Sequence, residues 1–148
     1  MNPPDIQLIP LSKPDHWADY HRICKAAIFD GSGITYDPNH ESLRDPHYRR
    51  FVFIQGETLL GILVIELLEG PDAIIRIIAI DEPYRNHGLG TICEKLGEDW
   101  IHAQGKTRIF LHADPKAINF YHRLGYHEMP FPNGDQSIFD ENIDMVLS

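Results

Sequence analysis

An apolar run that ends in a glycine-containing loop constrains the fold of this chain more than any other feature. Residues 74–80 (IIRIIAI) are followed by residues 84–90 (YRNHGLG), and an amphipathic stretch continues from residue 89 to about residue 104. A nearly continuous aliphatic run is typical of a central strand covered on both faces, and the amphipathic stretch is typical of a helix. The sequence therefore predicts a strand, a tight loop and a helix in direct succession.

The loop has the features of a phosphate-binding site. Gly88 and Gly90 allow the backbone to approach a ligand closely, and the first N–H groups of the next helix have no intrahelical partner. An exposed helix terminus stabilises an anion by only about 0.3–1 kcal/mol, so several amides and Arg85 would have to share a charge as large as that of a diphosphate. Taken alone, the loop could also be a plain strand-to-helix turn with Arg85 on the surface.

The remaining patterns complete one α/β domain. A helix is predicted from Pro14 through Ile28, and Asp114 with Pro115 begins another helix, which ends at Gly125. Two turn sequences make the strands before residue 80 antiparallel, and the crossover helix makes the strand that follows it parallel to residues 73–80. The buried stripe of the crossover helix leaves Glu94 and Glu98 outside it. Strands are predicted at residues 6–10, 51–54, 59–68, 73–80, 107–113, 126–129 and 143–147.

Length and composition narrow the class of protein. The chain of 148 residues has the length of a single domain. Its composition, with 43% hydrophobic and 24% charged residues, is typical of a globular protein. Neither an apolar run of about 18 residues nor a secretory pattern at residues 1–4 is present, so we expect a cytoplasmic protein that does not enter the membrane. The formal charge of −9 opposes nucleic-acid binding and favours cationic small molecules. The histidines and the two cysteines lack ligand spacing, so no metal site is expected.

Two motifs carry a resemblance to a known family. The first is Arg85-x-x-Gly88-x-Gly90 after the apolar strand, and the second is Ala117-x-x-Phe120-Tyr121-x-x-x-Gly125-Tyr126 on the later helix. Together they resemble the acetyl-CoA signatures of the GNAT superfamily of N-acetyltransferases. The resemblance implies a mixed α/β sheet in which antiparallel N-terminal strands lead into two splayed parallel strands. The acetyl-pantetheine arm would then lie between residues 78–80 and residues 111–113.

The resemblance also implies where the co-substrate acetyl-CoA binds. In two places the sequence departs from the usual pattern: Asp114 stands where many members have Asn, and Ile74 stands where some members have a glutamate base. A base must therefore come from elsewhere. The residues expected to contact acetyl-CoA are Ile78, Ala79, Ile80, Arg85, Asn86, His87, Gly88, Leu89, Gly90, Thr91, Asp114, Ala117 and Phe120.

Transfer to an amine requires proton movements. A lysine-like amine has a pKa of about 10.4, so deprotonating it at pH 7 costs roughly 4.6 kcal/mol. Among the carboxylates and histidines near the strand ends, Glu66 and His112 are the favoured candidates for the base, directly or through water. An unpaired strand amide near Ile78 would stabilise the thioester oxygen. The resemblance implies that Tyr121 gives a proton to the leaving thiolate. Without the motif, the same residue would be interpreted as an aromatic side chain of the core.

The acceptor is predicted from charge. Residues 30–47 and 133–141 should rim the acceptor side, and both are net acidic, which favours a primary amine on a cationic small molecule or peptide. Solvated loops without a role in binding are the alternative for these segments. Two other classes remain open: a CoA-binding regulatory module without turnover, and another type of nucleotide-binding domain. The sequence also leaves open whether the chain acts alone or as a homodimer.

Overall fold

The computed structural model describes residues 5–132 and 134–148. Residues 1–4, where a secretory pattern is lacking, and Asn133 at the start of the expected acceptor loop lie outside this range. The described residues form three α-helices, namely α1 (Pro14–Cys24), α2 (Leu89–Ala103) and α3 (Ile118–Arg123). They also form seven strands, which are β1 (Gln7–Pro10), β2 (Tyr48–Gln55), β3 (Thr58–Leu67), β4 (Asp72–Ile80), β5 (Arg108–Ala113), β6 (His127–Glu128) and β7 (Ile143–Leu147).

All seven strands belong to one sheet in the order β1-β2-β3-β4-β5-β7-β6. Strands β4 and β5 are parallel, as expected for two strands joined by the crossover helix α2. The other neighbouring strands are antiparallel. The predicted fold class, a mixed α/β sheet with antiparallel strands leading into a parallel pair, is confirmed.

Strands β4 and β5 separate partway along their length. Their pairing runs only from Asp72↔Arg108 to Ile74↔Phe110, although the two strands continue to Ile80 and Ala113. A β-bulge lies at the same level of β4, because Ile65 of β3 pairs with Ile75 while the preceding residue of β3, Val64, pairs with Ile77. The extra residue is Arg76. A bulge bends its strand and increases the local twist, so it accounts for the departure of β4 from β5.

The helices cover the two faces of the sheet. On one face α2 and α3 pack over buried residues such as Leu63, Ile75 and Ile109, and on the other α1 covers the N-terminal strands around Val52 and Ile62. Strand β4 is thus a central strand covered on both faces, as predicted. A third cluster of Ile74, Phe110, Phe131 and Val146 lies where the chain between β6 and β7 folds over the sheet. This connection therefore substitutes for a helix.

One local prediction holds in part and another is wrong. The helix predicted through Ile28 continues to Phe29, but α1 ends at Cys24 and the last turn, Lys25–Phe29, is π-helical. In α2, Glu94 is fully buried and Glu98 is 3% exposed, although the amphipathic pattern placed both outside the buried stripe. Tyr126, which follows α3, reaches this flank of α2 and donates its hydroxyl hydrogen to Glu94 Oε1 at 2.8 Å. A second packing partner therefore widens the buried face of the helix.

Candidate active site

A cleft of about 770 Å³ lies at the end of β4, where the loop before α2 faces the start of α3. The two parallel strands have already separated at this level, so the cleft continues the gap between them. Its lining comes from the end of β4, from residues 84–90 and from the Asp114–Phe120 region. The lining residues are Ile80, Tyr84, Arg85, Asn86, Gly88, Leu89, Gly90, Asp114, Lys116, Ala117 and Phe120.

The loop before α2 has a backbone suited to an anion. Gly88 is the residue before the helix and has φ +75°, and Asn86 is also left-handed at φ +65°. No side chain caps α2, which leaves its first-turn amides available to a ligand. Arg85 donates from Nε to the carbonyl of Ile80 at 2.9 Å, so its side chain fastens the loop to the end of β4. The local structure is therefore a left-handed loop that leads into an uncapped helix start, with an arginine at its side, and this geometry is suited to an anion.

The opposite wall of the cleft begins at Asp114. Its Oδ1 accepts a hydrogen bond from the Lys116 amide at 2.9 Å, which caps the 3₁₀ turn Pro115–Ala117 before α3. The role of this aspartate as a helix cap is thus confirmed, and the residue also lines the cleft. The ring of Phe120 reaches across to the loop, since a Cβ at Gly90 would lie 3.6 Å from it.

Most residues expected to contact the cofactor border this cleft. Ile78 and Ala79 instead lie in the core clusters on opposite faces of the sheet, and His87 and Thr91 are exposed at the loop and the first turn of α2. Tyr84 and Lys116 line the cleft although the sequence did not single them out. Each lies directly before one of the two motifs, so its position beside the glycine loop or the helix start was the available signal.

Tyr121 follows Phe120 in α3, is 9% exposed and is not among the residues that line the cleft. Its ring packs edge to face on Phe120 and Tyr126, with centroids 5.1 and 5.4 Å apart. Burial raises the pKa of the phenol well above its usual range, and the carboxyls of Glu94 and Glu98 raise it further. The hydroxyl therefore carries its proton throughout the neutral range.

The two candidate bases belong to one network of ion pairs on the face opposite α2. Arg76, the bulge residue of β4, donates from Nε and Nη2 to Oε1 of Glu66 at 3.0 and 2.6 Å. Its Nη1 and Nη2 also donate to the two oxygens of Asp135 at 2.7 and 2.9 Å. The guanidinium therefore binds two carboxylates at once, one from β3 and one from the chain between β6 and β7. Hydrogen bonds from Arg76 hold the pKa of Asp135 below its usual range.

His112 of β5 lies at the other end of the network. Its Nε2 is 2.7 Å from Oδ2 of Asp135, and its Nδ1 is 2.7 Å from Oδ1 of Asp144. The imidazole stacks on Phe131 with centroids 4.1 Å apart and an interplanar angle of 12°. Both ring nitrogens therefore face carboxylate oxygens, and the histidine joins β5 and β7 to the loop that carries Asp135.

The segments expected to rim the acceptor side come together through aromatic rings. Phe29 contacts Tyr36 at 5.2 Å and Phe139 at 6.3 Å between centroids, which brings the residues after α1 next to the chain before β7. The acidity expected of this rim is partly neutralised, because Asp30 pairs with Lys25 at 2.8 Å and Asp135 pairs with Arg76. The exposed carboxylates that remain are Asp37, Glu41, Asp140 and Glu141.

No group of three or more histidine, cysteine or carboxylate side chains within residues 5–132 and 134–148 could hold a metal ion. No helix in the same part of the chain is long and apolar enough to cross a membrane.

Several solved structures share this architecture. An acetyltransferase of the GNAT family from Staphylococcus aureus Mu50 has a TM-score of 0.75 and 16% sequence identity, with 95% of this chain and 97% of that chain covered. Tetrahymena GCN5 has a TM-score of 0.74 and 16% identity over 95% and 94% of the two chains. The spermidine N-acetyltransferase SpeG from Vibrio cholerae has a TM-score of 0.74 and 18% identity over 96% and 92%. These likenesses show that the chain shares the fold of these three proteins.

The sequence comparison makes the assignment specific. The model of the acetyltransferase (GNAT) family matches residues 14–126, which include both motifs and all the strands from β2 to β5. The chain therefore belongs to the GNAT family. A curated relative, the uncharacterized protein YyaT of Bacillus subtilis strain 168, is 33% identical over 78 residues. That match covers 53% of this chain and 49% of YyaT, so it spans about half the length of the relative.

Proposed function

We propose that the protein transfers the acetyl group of acetyl-CoA to a primary amine of a small molecule or peptide by direct attack within a ternary complex. The observation that carries this proposal is the cleft at the point where β4 and β5 have separated, with an uncapped helix terminus and Arg85 on its rim. The family uses acetyl-CoA as co-substrate. Cytoplasmic location and action without a metal are parts of the same proposal.

The diphosphate of acetyl-CoA would lie on the backbone of residues 85–91. The first-turn amides of α2 donate to it, and Arg85 supplies positive charge while its hydrogen bond to Ile80 keeps the loop in place. The pantetheine arm follows the gap toward the bulge of β4. The strand amides of β4 that face this gap have no partner from β5 beyond Ile74, so one of them near Ile78 is available to the thioester oxygen.

Of the two candidate bases, the geometry favours Glu66. Both hydrogen bonds from Arg76 go to its Oε1, so Oε2 is not taken up by the guanidinium. His112 has a carboxylate at each ring nitrogen, so an acceptor amine could reach neither nitrogen unless one of the carboxylates moved away. We therefore assign the first proton transfer to Glu66, directly or through water, and give His112 a place in the network that surrounds it.

The proposed reaction conserves protons. The acceptor ammonium gives one proton to Glu66, and the free amine attacks the thioester carbon, so that a C–N bond forms and the C–S bond breaks. The thiolate takes a proton from Tyr121, and the second proton on nitrogen returns to the tyrosinate through solvent. Glu66 then gives its proton to water. The sum is an ammonium and acetyl-CoA converted to an amide, CoA and one proton.

The acceptor is proposed to be cationic. The exposed carboxylates near the Phe29–Phe139 contact and the net charge of −9 favour such a substrate. The names of two structural neighbours refer to different amines, spermidine for SpeG and alanine of ribosomal protein S18 for an Escherichia coli enzyme. The shared fold is therefore compatible with either a polyamine or a peptide as the acceptor.

Thermal unfolding with and without acetyl-CoA tests the proposal. At about 100 times Kd a ligand adds roughly 2.7 kcal/mol, or about 5–10 °C in Tm for a domain of this size. We expect this shift with acetyl-CoA and not with NAD or ATP, which would indicate another nucleotide-binding domain. CoA release with a panel of amines then separates a transferase from a regulatory module, because only the transferase turns over.

The Gly88→Val substitution locates the binding site. A branched side chain disfavours the left-handed backbone at φ +75° and points into the space expected for the diphosphate. Gly56→Val is a matched control, because Gly56 has φ +62° in the β2–β3 turn, away from the cleft. Both variants should lose stability, and Gly88→Val alone should lose the response to acetyl-CoA. An unchanged response in folded Gly88→Val would contradict the proposed diphosphate site.

A further inference from the structure

Asp135 connects the two separated strands through their side chains. Its two oxygens accept hydrogen bonds from Nη1 and Nη2 of Arg76 in β4 at 2.7 and 2.9 Å, and its Oδ2 lies 2.7 Å from Nε2 of His112 in β5. Arg76 and His112 each lie two residues beyond the last backbone pair, Ile74↔Phe110. The aspartate belongs to the chain between β6 and β7. That connection therefore bridges the strands just where their own hydrogen bonds stop.

The hydrogen bonds to Asp135 limit how many hydrogen bonds Arg76 can donate to Glu66. Nη1 and one hydrogen of Nη2 are used on Asp135, which leaves Nε and the other Nη2 hydrogen for Oε1 of Glu66. An arginine without a competing carboxylate prefers to bind both oxygens of its partner through two parallel hydrogen bonds. Without Asp135, the guanidinium could turn and engage Oε2 of Glu66 as well.

The network is only partly open to solvent. The side chains of Arg76 and Glu66 are 20% and 17% exposed, those of His112 and Asp135 are 11% and 24% exposed, and Phe131 covers the imidazole. The phenol of Tyr48 also lies beside Glu66 and Arg76, and burial raises its pKa. Charge-assisted hydrogen bonds in such surroundings hold side chains in one arrangement more firmly than they do in water.

We propose that Asp135 is a positioning residue for acetyl transfer: by holding Arg76 and His112 across the gap between β4 and β5, it keeps the guanidinium off Oε2 of Glu66, the oxygen that takes the proton of the acceptor amine. The inference rests on the proposed function and adds a residue from the loop that follows β6. It also gives that loop a part in the reaction, because its place over the sheet brings the carboxylate to both strands.

The test compares Asp135→Asn and Asp135→Glu with Asp72→Asn. The amide of Asn cannot accept from Arg76 on both sides, whereas Glu restores the carboxylate on a longer stem. Asp72 is the matched control, because it also pairs with an arginine between β4 and β5, at 2.7 and 2.9 Å from Arg108, but at the end where the strands are still hydrogen-bonded. Acetyl-CoA Kd, acceptor KM, kcat and Tm are measured for each variant.

For Asp135→Asn we expect kcat to fall at least tenfold while acetyl-CoA Kd stays within twofold, and Asp135→Glu should recover part of the loss. Asp72→Asn should lower Tm with kcat within threefold of wild type at a temperature where both are folded. Wild-type kcat in Asp135→Asn would overturn the inference, as would an equal loss of kcat in Asp72→Asn. Absence of CoA release by the wild-type protein with every amine would instead overturn the proposed function.

The bridge has a second readout that does not depend on turnover. The ¹⁵N shifts of the His112 imidazole report on the hydrogen bond at each ring nitrogen, and Nε2 faces Asp135 while Nδ1 faces Asp144. Asp135→Asn should change the Nε2 resonance more than the Nδ1 resonance. Identical shifts in wild type and Asp135→Asn would overturn the bridge.

Discussion

At Tyr121, the family motif and the surroundings impose different demands. A general acid must be protonated before the reaction, and burial satisfies this by raising the pKa of the phenol. The same burial makes proton release costly, because a thiol has a pKa of only about 8.5. The cost falls if the thiolate forms within reach of the hydroxyl, since a desolvated anion beside it takes the proton more readily than water does. The role of Tyr121 therefore depends on the cofactor filling the gap above it.

We predict that Tyr121→Phe keeps acetyl-CoA Kd within a few-fold and lowers turnover by about 10²-fold, the usual scale for loss of a general acid. The ring and its contacts with Phe120 and Tyr126 are retained. Steady-state kinetics and calorimetric binding of acetyl-CoA measure the two quantities. Tyr126→Phe is the control, because it removes a nearby hydroxyl that hydrogen-bonds to Glu94 and should affect stability more than turnover. Equal turnover in wild type and Tyr121→Phe would return Tyr121 to the role of a core aromatic.

Glu94 shows how one buried carboxyl makes stability depend on pH. Burial raises its pKa to about 8, with Glu98 adding to the effect. The folded state therefore binds a proton that the unfolded state has lost between about pH 4.5 and pH 8. The contribution of Glu94 is fully present below the unfolded pKa, and it is lost as pH rises through the folded pKa.

We accordingly predict that Glu94→Gln reduces the fall in stability between pH 5 and pH 8.5, and adds on the order of 2–4 kcal/mol to the free energy of unfolding at the upper end relative to wild type. Glutamine can still accept from Tyr126 and remains neutral. Urea unfolding over this pH range gives the comparison. Asp99→Asn provides the control on the exposed side of the same helix. An equal pH slope in wild type and Glu94→Gln would show that another group is responsible.

At the scale of elements, the end of β4 is fixed from two directions. From the loop side, Arg85 bonds to the carbonyl of Ile80. From the sheet side, β3 lies so close that a Cβ at Gly61 would be 2.4 Å from the Ala79 carbonyl oxygen. The strand end that borders the cleft is thus held by a backbone contact that only glycine permits. The contact between β3 and β4 therefore helps to fix one border of the site.

We predict that Gly61→Ala lowers the free energy of unfolding by about 1–3 kcal/mol, since the backbone of β4 must move to relieve the overlap. Because that movement displaces Ile80, acetyl-CoA affinity should also fall. Gly97→Ala is the matched control: its Cβ would lie 3.1 Å from the end of the Leu63 side chain, which can adjust, and alanine favours the helix. Urea unfolding and calorimetry of both variants decide the point, and equal losses in the two would contradict the account.

At the scale of the whole molecule, the features that could be predicted from the sequence are those that depend on short-range patterns. The strands, the parallel pair and most of the cleft followed from the periodicity before Ile80 and from the two motifs. The burial of Glu94 could not be predicted, because it depends on Tyr126 packing against the flank of α2. The pairing of Asp135 with Arg76 and His112 joins residues 59 and 23 positions apart. Such contacts do not follow from any short-range pattern in the sequence. A charged residue in a loop is ordinarily expected to be exposed to solvent, so the pairing of Asp135 could not be predicted.

The net charge of −9 leads to a prediction about the acceptor. Ion pairs neutralise Asp30 and Asp135, so the field near the rim comes from the exposed carboxylates and from the molecule as a whole. Such a field steers cations and is screened over about 8 Å at physiological salt. Cationic amines should therefore have the highest kcat/KM, which falls by about 3- to 10-fold from low to high salt.

A neutral amine of similar size serves as the control, because its kcat/KM should change little with salt. If anionic acceptors were preferred, or if the cationic ones showed no salt dependence, the electrostatic account of specificity would be wrong. The acetyl-transfer proposal would stand even so, since it depends on the cleft and on the separation of β4 from β5 and not on the charge of the rim. Specificity would then have to come from direct contacts such as the rings of Phe29, Tyr36 and Phe139.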